Sequence, residues 1–244
     1  VRILIIGGTS GIGLALAQHY LSLGEQVAVC GRDLQRLDPQ LVERYPAMGR
    51  YQLDIADKNA LAAAIDDFSG GGLDLLIVTA GLYFNTPSIQ LDPATALQML
   101  RTNVSGLNHA FELASAKMLP RKSGQLVAIA SIAGLLHDYP GASLYSATKR
   151  MVIALCETYR KALAPFSIAV TTIVPGYIDT AKLRALNHGD ASHKPFLLSE
   201  QQALAHITQA IAQRQARCIF PWQMHWLVSL FNCLPPPLRR LIRK

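Results

Sequence analysis

The sequence is poor in the features that mark secreted, metal-binding and membrane-spanning chains. It holds four cysteines in 244 residues: Cys30, Cys156, Cys218 and Cys233. None forms a C-x-x-C pair, and their spacings suit neither a disulfide framework nor a zinc site. They read as buried or incidental thiols of a reducing compartment. The apolar stretch 226–234 falls far short of the ~20 residues a spanning helix needs. The run 3–6 is too short for the core of a signal peptide and leads straight into glycines, so no secretion signal is expected. An initiating Met or a short leader can still precede Val1. No linker, internal repeat or low-complexity tract interrupts the chain before residue 180. With half its residues hydrophobic, it reads as one domain with a substantial core. The formal charge of +7 is uneven: the last six residues, RRLIRK, carry Arg239, Arg240, Arg243 and Lys244. Without those four, the 23 basic residues fall to 19 against 16 acidic ones. A nearly neutral body offers no basic face for nucleic acid, so no nucleic-acid partner is expected.

What the chain does have is alternation. Strand-like runs at 2–6, 26–30, 50–55, 73–81, 125–131, 168–176 and 217–220 are separated by helical patterns. Helices are expected over 14–24, 33–45, 58–68, 143–164 and from about Ser199. The stretch 92–119 reads as two helices meeting near 105–106. Asp33 and Asp57 stand as N-caps, Ser199 is another with Glu200 behind it, and Pro39 marks an irregularity. Strands apolar on both faces predict a parallel sheet covered on both sides. The expected fold is α/β: a doubly wound parallel sheet of about seven strands in a single Rossmann-type domain. Residues 1–220 would form the cofactor-binding catalytic domain, with a substrate lid at about 180–198. Residues 221–244 would form an apolar and basic extension.

The first βα turn, GGTSGIG, lies where such a sheet seats a dinucleotide pyrophosphate on a helix N-terminus. Gly7 permits the turn, while Gly11 and Gly13 let ligand and helix approach closely. Thr9 and Ser10 offer hydroxyls, and Ile12 completes the loop. A bare structural turn is the alternative.

The spacing G-x-x-x-G-x-G resembles the short-chain dehydrogenase/reductase pattern, and further landmarks follow in order over residues 2–180. VTAG matches the family's N-N-A-G only at Ala80 and Gly81, and Ile6 replaces a usual Thr. Asn103 matches the active-site Asn and Ser131 ends the fifth strand. Tyr145 and Lys149 form Y-x-x-x-K, which chance supplies about a quarter of a time in this composition. Pro175, Gly176, Ile178 and Thr180 fall in P-G-x-x-x-T, beside the nicotinamide by resemblance. Ser131 and Tyr145 are 14 residues apart where the family usually shows 13, which places an extra residue in the loop 137–140.

On a helix Tyr145 and Lys149 share a face. A neighbouring ammonium is expected to lower the phenol's pKa, so that Tyr145 can pass a proton to or from a carbonyl oxygen. Ser131 would hold that oxygen. The resemblance implies that Lys149 also bonds the nicotinamide ribose and that Asn103 positions a water linking Lys149 to solvent. An acidic residue at the end of the second strand would select NAD(H), whereas an Arg can pair with a 2′-phosphate. The chain has Gly31 and then Arg32, so NADP(H) is the expected cofactor and NAD(H) the alternative. Asp33 reads more simply as a helix cap. Ser10 stands where NADP-preferring relatives often carry a base. By resemblance Asp54 faces the adenine with Ile55 beside it.

The expected activity is NADP(H)-dependent interconversion of a carbonyl and a secondary alcohol on a small molecule. A non-catalytic dinucleotide-binding sensor or scaffold is the other reading. His188 and His193 read as loop residues rather than metal ligands, and no metal is expected. His137 and Tyr139 either line the pocket or sit on a surface loop. The tail reads either as an interfacial membrane anchor or as a helix packed on the sheet or in a subunit interface. A homodimer or homotetramer through the helices around 105–119 and 145–164 is implied by resemblance. The expected location is the cytoplasm, or the inner face of a membrane if the tail anchors.

Overall fold

A computed structural model describes residues 1–70, 72–83, 92–136 and 143–235. Seven strands form one sheet: β1 (Arg2–Ile6), β2 (Gln26–Gly31), β3 (Gly49–Gln52), β4 (Leu75–Val78), β5 (Gly124–Ile129), β6 (Ile168–Pro175) and β7 (Arg217–Phe220). Their order is β3-β2-β1-β4-β5-β6-β7, and every pairing is parallel. The order reverses between β1 and β4, which opens the crevice where ligands of doubly wound sheets bind.

The strands carry apolar residues at successive positions because both faces are covered. Leu4 and Ile6 point to one face with Leu76, Val78, Leu126 and Ala128. Ile3 and Ile5 point to the other with Ile77 and Val127. The period of two is intact, and apolar side chains occupy both phases. On the first face lie α3 (Lys58–Ser69), α5 (Leu107–Met118) and α6 (Leu144–Leu163). On the second lie α1 (Gly11–Ser22), α2 (Pro39–Arg44) and α8 (Glu200–Ala212).

The caps explain where the helices start. Asp57 accepts from Asn59 and Ala60 N–H groups, and Ser199 forms a reciprocal capping box with Gln202. Asp33 caps only a single 3₁₀ turn, Leu34–Arg36, and Asp38 caps α2 just before Pro39. The expected helix 33–45 is therefore two pieces, since Pro39 has no N–H to continue the ladder. Between α4 (Pro93–Leu100) and α5 the chain widens into a π-helical turn, Arg101–Gly106. That is the junction expected near 105–106. Gly106 is required there, because a Cβ would come within 2.9 Å of Ile55.

Beyond β6 come α7 (Ala181–Ala185), α8, β7 and α9 (Trp222–Cys233). Residues Tyr177–Asp179 bond to Leu198 through Leu198 N–H to Tyr177 O, 3.0 Å, and Asp179 N–H to Leu198 O, 2.8 Å. The two ends of the 180–198 segment are thereby fixed together. One face of α9 packs through Met224 and Val228 against Ile132.

Phe111 of α5 is fully buried at the centre of the first face and meets the Tyr159 ring edge-on, with centroids 5.3 Å apart. Phe111→Ala is expected to cost about 3–5 kcal/mol. Urea denaturation should show a lower midpoint with an unchanged slope.

Candidate active site

The glycine turn sits at the sheet reversal, and its backbone is pinned from two sides. Gly7 and Gly8 N–H groups donate to Cys30 O of β2, at 2.8 and 3.2 Å. The Thr79 and Ala80 N–H groups donate to Ile6 O at 2.9 and 3.0 Å. The Thr79 hydroxyl adds bonds to Ile6 O and Gly7 O, both 3.1 Å. A Cβ at Gly13 would lie 2.2 Å from Gly7 O and 2.5 Å from Thr79 Oγ1, so only glycine lets α1 start this close to the sheet. Gly7 has φ +89° and would also meet Thr79 and Ala80. Ile6 itself is buried core. Thr79, which stands where the family pattern has Asn, supplies a side-chain brace for the turn.

Gly11 differs from its neighbours. With φ +49° it opens α1, and a Cβ there would meet nothing within 4 Å. Ser10 precedes it as N-cap without a side-chain bond to the helix. The first N–H groups of a helix have no partners within it. Together with Ile12 in the same first turn, this is a cradle open over amides, and it fits a dinucleotide's phosphates.

Thr9 is buried, and a Cβ at Gly31 would lie 2.6 Å from its Oγ1 and Cγ2. Thr9 packing thus excludes a side chain at Gly31, where an acidic residue would select NAD(H). Arg32 follows on the surface. Asp33 accepts from Gln35 N–H and pairs with Arg36 at 3.4 Å, so its cap role is the one observed. Asp54, two residues past β3, accepts from Ala56 N–H at 2.9 Å. Ile55 is buried against Gly106.

The second half of the site hangs from α6. Lys149 is 6% exposed and donates to Ile129 O at 2.8 Å. Gly134 allows the turn after Ser131 to lie on the α6 backbone, since a Cβ there would be 2.7 Å from Lys149 C. That contact carries Ser131 to Tyr145, near enough for its hydroxyl to favour the phenolate. The 14-residue spacing therefore does not separate them. The extra residue expected at 137–140, with His137 and Tyr139, lies outside the described residues.

Asn103 is placed by the π-helical turn and is 3% exposed. Its Oδ1 accepts from Leu82 N–H at 2.7 Å, while Nδ2 donates to Leu82 O at 2.9 Å and to Thr148 Oγ1 at 3.1 Å. The amide thus clamps the chain after β4 to α6. Gly81 lies between: a Cβ there would be 3.4 Å from Lys149 Nζ and 3.6 Å from Asn103 Oδ1. Ala80 sits under it, bonded to Ile6 O.

Pro175 ends β6, and Gly176 N–H donates to Phe220 O at 2.7 Å. Ile178 pairs with Leu198. Thr180 caps α7, accepting from Leu183 N–H at 3.1 Å. Sequence reasoning missed Lys182 of that helix, whose Nζ reaches Gly81 O at 3.1 Å. Burial, together with the charges of Arg32 and Arg36, pulls Lys182 below its ordinary pKa. It missed Tyr83 and Tyr177 too. Tyr83 meets the Tyr145 ring edge-on at 4.6 Å, and Lys194 stands 5.6 Å over Tyr177.

One expectation is corrected. Tyr145 is not lowered in the free protein. Burial pushes it up to about 12, the Ser131 hydrogen bond pulls it back, and Tyr83 and Tyr177 raise it further. Lys149 Nζ is 5.8 Å from the phenol ring centre and donates to Ile129 O. Burial first, then the Lys182 charge, bring Lys149 itself down to about 8. At neutral pH the phenol keeps its proton and the ammonium is mostly charged.

Thr79→Val should cost about 1 kcal/mol and weaken dinucleotide binding, while Thr79→Ser keeps both. Thermal melting and fluorescence titration measure this pair. Unfolded Lys149 holds its proton up to about 10.5, but in the fold only up to about 8. Between those values the unfolded chain binds the extra proton, so stability from this group rises with pH. Lys149→Met should flatten the rise seen in denaturation between pH 8 and 10.

The short chain dehydrogenase family model matches residues 2–191. An oxidoreductase of Myxococcus xanthus is 30% identical over 240 residues, covering 96% of this chain and 93% of that protein. A probable NADP-dependent dehydrogenase of Haemophilus influenzae is 31% identical, covering 77% of this chain and 75% of its own. Among solved structures, ElxO with NADP bound is 25% identical, with a TM-score of 0.76, covering 85% of this chain and 89% of that one. A short chain dehydrogenase of Burkholderia cenocepacia in complex with NADP shares the fold, with a TM-score of 0.82 at 21% identity, covering 98% of this chain and 96% of its own. Sequence, fold and the meeting of Asn103, Ser131, Tyr145 and Lys149 agree: the chain is an oxidoreductase of the short-chain dehydrogenase family.

Proposed function

We propose that this oxidoreductase interconverts a carbonyl and a secondary alcohol with NADP(H), using Tyr145 as the acid/base. The observation that carries the reading is the convergence of the turn after Ser131, the Tyr145 ring and a buried Lys149 whose Nζ lies 5.8 Å from that ring. The nicotinamide, when bound, supplies the hydride. Ser131 and Tyr145 would both donate to the substrate oxygen and hold it in place. The phenol is protonated at neutral pH, so it is ready to give its proton to a carbonyl oxygen. Lys149 holds a positive charge one helical turn away and would stabilise the phenolate that remains. Asn103 fixes the chain at Leu82 against α6, and a water relay from Lys149 would pass along this edge. The phenols Tyr83 and Tyr177 would wall the reacting centre against water.

NADP(H) is favoured over NAD(H) by Gly31, which Thr9 keeps bare, and by Arg32 after it. The bound NADP of ElxO and the description of the Haemophilus relative support the same choice. Arg36 and Lys182 add positive charge near Arg32. In this reading Gly7, Thr9, Ser10, Gly11, Ile12 and Gly13 hold the pyrophosphate side, and Asp54 and Ile55 border the adenine. Ala80, Gly81, Pro175, Gly176, Ile178 and Thr180 border the nicotinamide side, and the 180–198 segment covers the substrate. Free thiols at all four cysteines support a cytoplasmic setting. Self-association through α5 and α6 is part of the reading, and sedimentation velocity measures it.

Tyr145→Phe should lower turnover by roughly 10²–10⁴-fold while NADPH affinity stays nearly unchanged. Full activity in that variant would refute the assignment. Arg32→Ala should reduce the preference for NADPH over NADH by about tenfold or more, since a charge-assisted bond is worth about 1.5–3 kcal/mol.

A further inference from the structure

The α9 helix divides sharply between its two sides. Met224 and Val228 are buried against Ile132, and Asn232 Nδ2 donates to Leu135 O at 2.7 Å. The opposite side presents Trp222 (66% exposed), Trp226 (70%) and Leu230 (65%) at four-residue steps, with Leu227 (51%) beside them. Helix residues four apart share a face, so these side chains form one apolar stripe. A surface helix ordinarily shows charged groups outward, but α9, WQMHWLVSLFNC, has no Asp, Glu, Lys or Arg at all.

The charge around it has one sign. The last acidic residue of the chain is Glu200, and residues 201–244 hold Arg214, Arg217, Arg239, Arg240, Arg243 and Lys244 with no carboxylate side chain. Four of those six lie within the ten residues that follow α9 and Leu234. Aromatic rings on an exposed helix joined to a cationic segment match the chemistry of an anionic lipid surface: rings enter the headgroup boundary and cations pair with the lipid charge. A second copy of the chain is a poorer occupant. A two-fold contact sets the same patch against itself, and would bring two cationic, carboxylate-free segments together.

We propose that the outer face of α9, with the basic segment after it, docks on an anionic bilayer. The helix does not cross it; among the described residues no helix is long and apolar enough to do so. The contact is peripheral, and α9 is fastened through its inner face to the turn that follows Ser131. One layer of side chains therefore joins the docking face to the reacting groups. The proposal stands independently of the reaction assigned to the site.

The chain's only tryptophans are Trp222 and Trp226, so intrinsic emission reports this face directly. The full chain should emit as exposed tryptophan in buffer. On phosphatidylcholine vesicles containing about one part in three phosphatidylserine, emission should shift to the blue, and brominated acyl chains should quench it. Leu227→Glu/Leu230→Glu keeps both probes and should lose the shift. Replacing Arg239, Arg240, Arg243 and Lys244 by Ala alters no described residue, and should raise the lipid needed for half-binding by roughly tenfold or more. Each variant is compared at a melting temperature near that of the parent. Unchanged parent emission on anionic vesicles would overturn the proposal, as would equal affinity for neutral vesicles. A blue shift that appears without lipid and grows with protein concentration would assign the face to a second copy instead.

Discussion

The site depends on a buried ammonium. Lys149 is enclosed by the sheet, the turn after Ser131 and the chain after β4, and a hydrogen bond to Ile129 O anchors it. A charge held this deep is costly unless it is hydrogen-bonded, and its lowered pKa records the cost. What the fold gains is position. The bond ties α6 to the end of β5, where Ser131 begins, and Gly134 lets the intervening turn lie flat on α6. The same desolvation acts on Tyr145 in the opposite chemical sense. It disfavours the phenolate as it disfavours the ammonium, so the free protein keeps a protonated phenol next to a lysine that is easier to deprotonate.

The cofactor side is built on a second close approach. Gly7, Gly13 and Thr79 bring the ends of β1, α1 and β4 within a space that admits no further side-chain atoms. The sheet order reverses there, so one packing constraint both opens the crevice and braces its floor. Thr9 and Gly31 repeat the logic one strand over. A residue type that would read one cofactor is excluded by a neighbour's methyl and hydroxyl, which turns a packing detail into a selectivity argument.

The fold was legible because its signals are local. Alternation of apolar strands and capped helices follows from covering both sheet faces, and glycine spacing follows from backbone approach. Asn103, Ser131, Tyr145 and Lys149 were singled out by resemblance to the family's order of landmarks, which the local signals alone do not supply. What escaped was what depends on distant partners. Thr79 looked like a lost Asn until its hydroxyl met Ile6 and Gly7. Lys182 lies 101 residues from the carbonyl it reaches, and nothing in either segment announces the other. The direction of the Tyr145 shift escaped because spacing shows that a lysine is near but not how far the surrounding fold withdraws the phenol from water. The tail was legible only as two competing readings, and α9 has a side for each: one packed on the domain, the other exposed.

Burial, not the nearby lysine, governs Tyr145 in the free protein and keeps it a proton donor. Absorbance titration of tyrosine ionisation, comparing the wild type with Tyr145→Phe without cofactor, tests this directly. The two curves should coincide up to about pH 10 and begin to separate only as pH approaches 12. Loss in the variant of a tyrosine that ionises below pH 10 would show that the lysine prevails over burial.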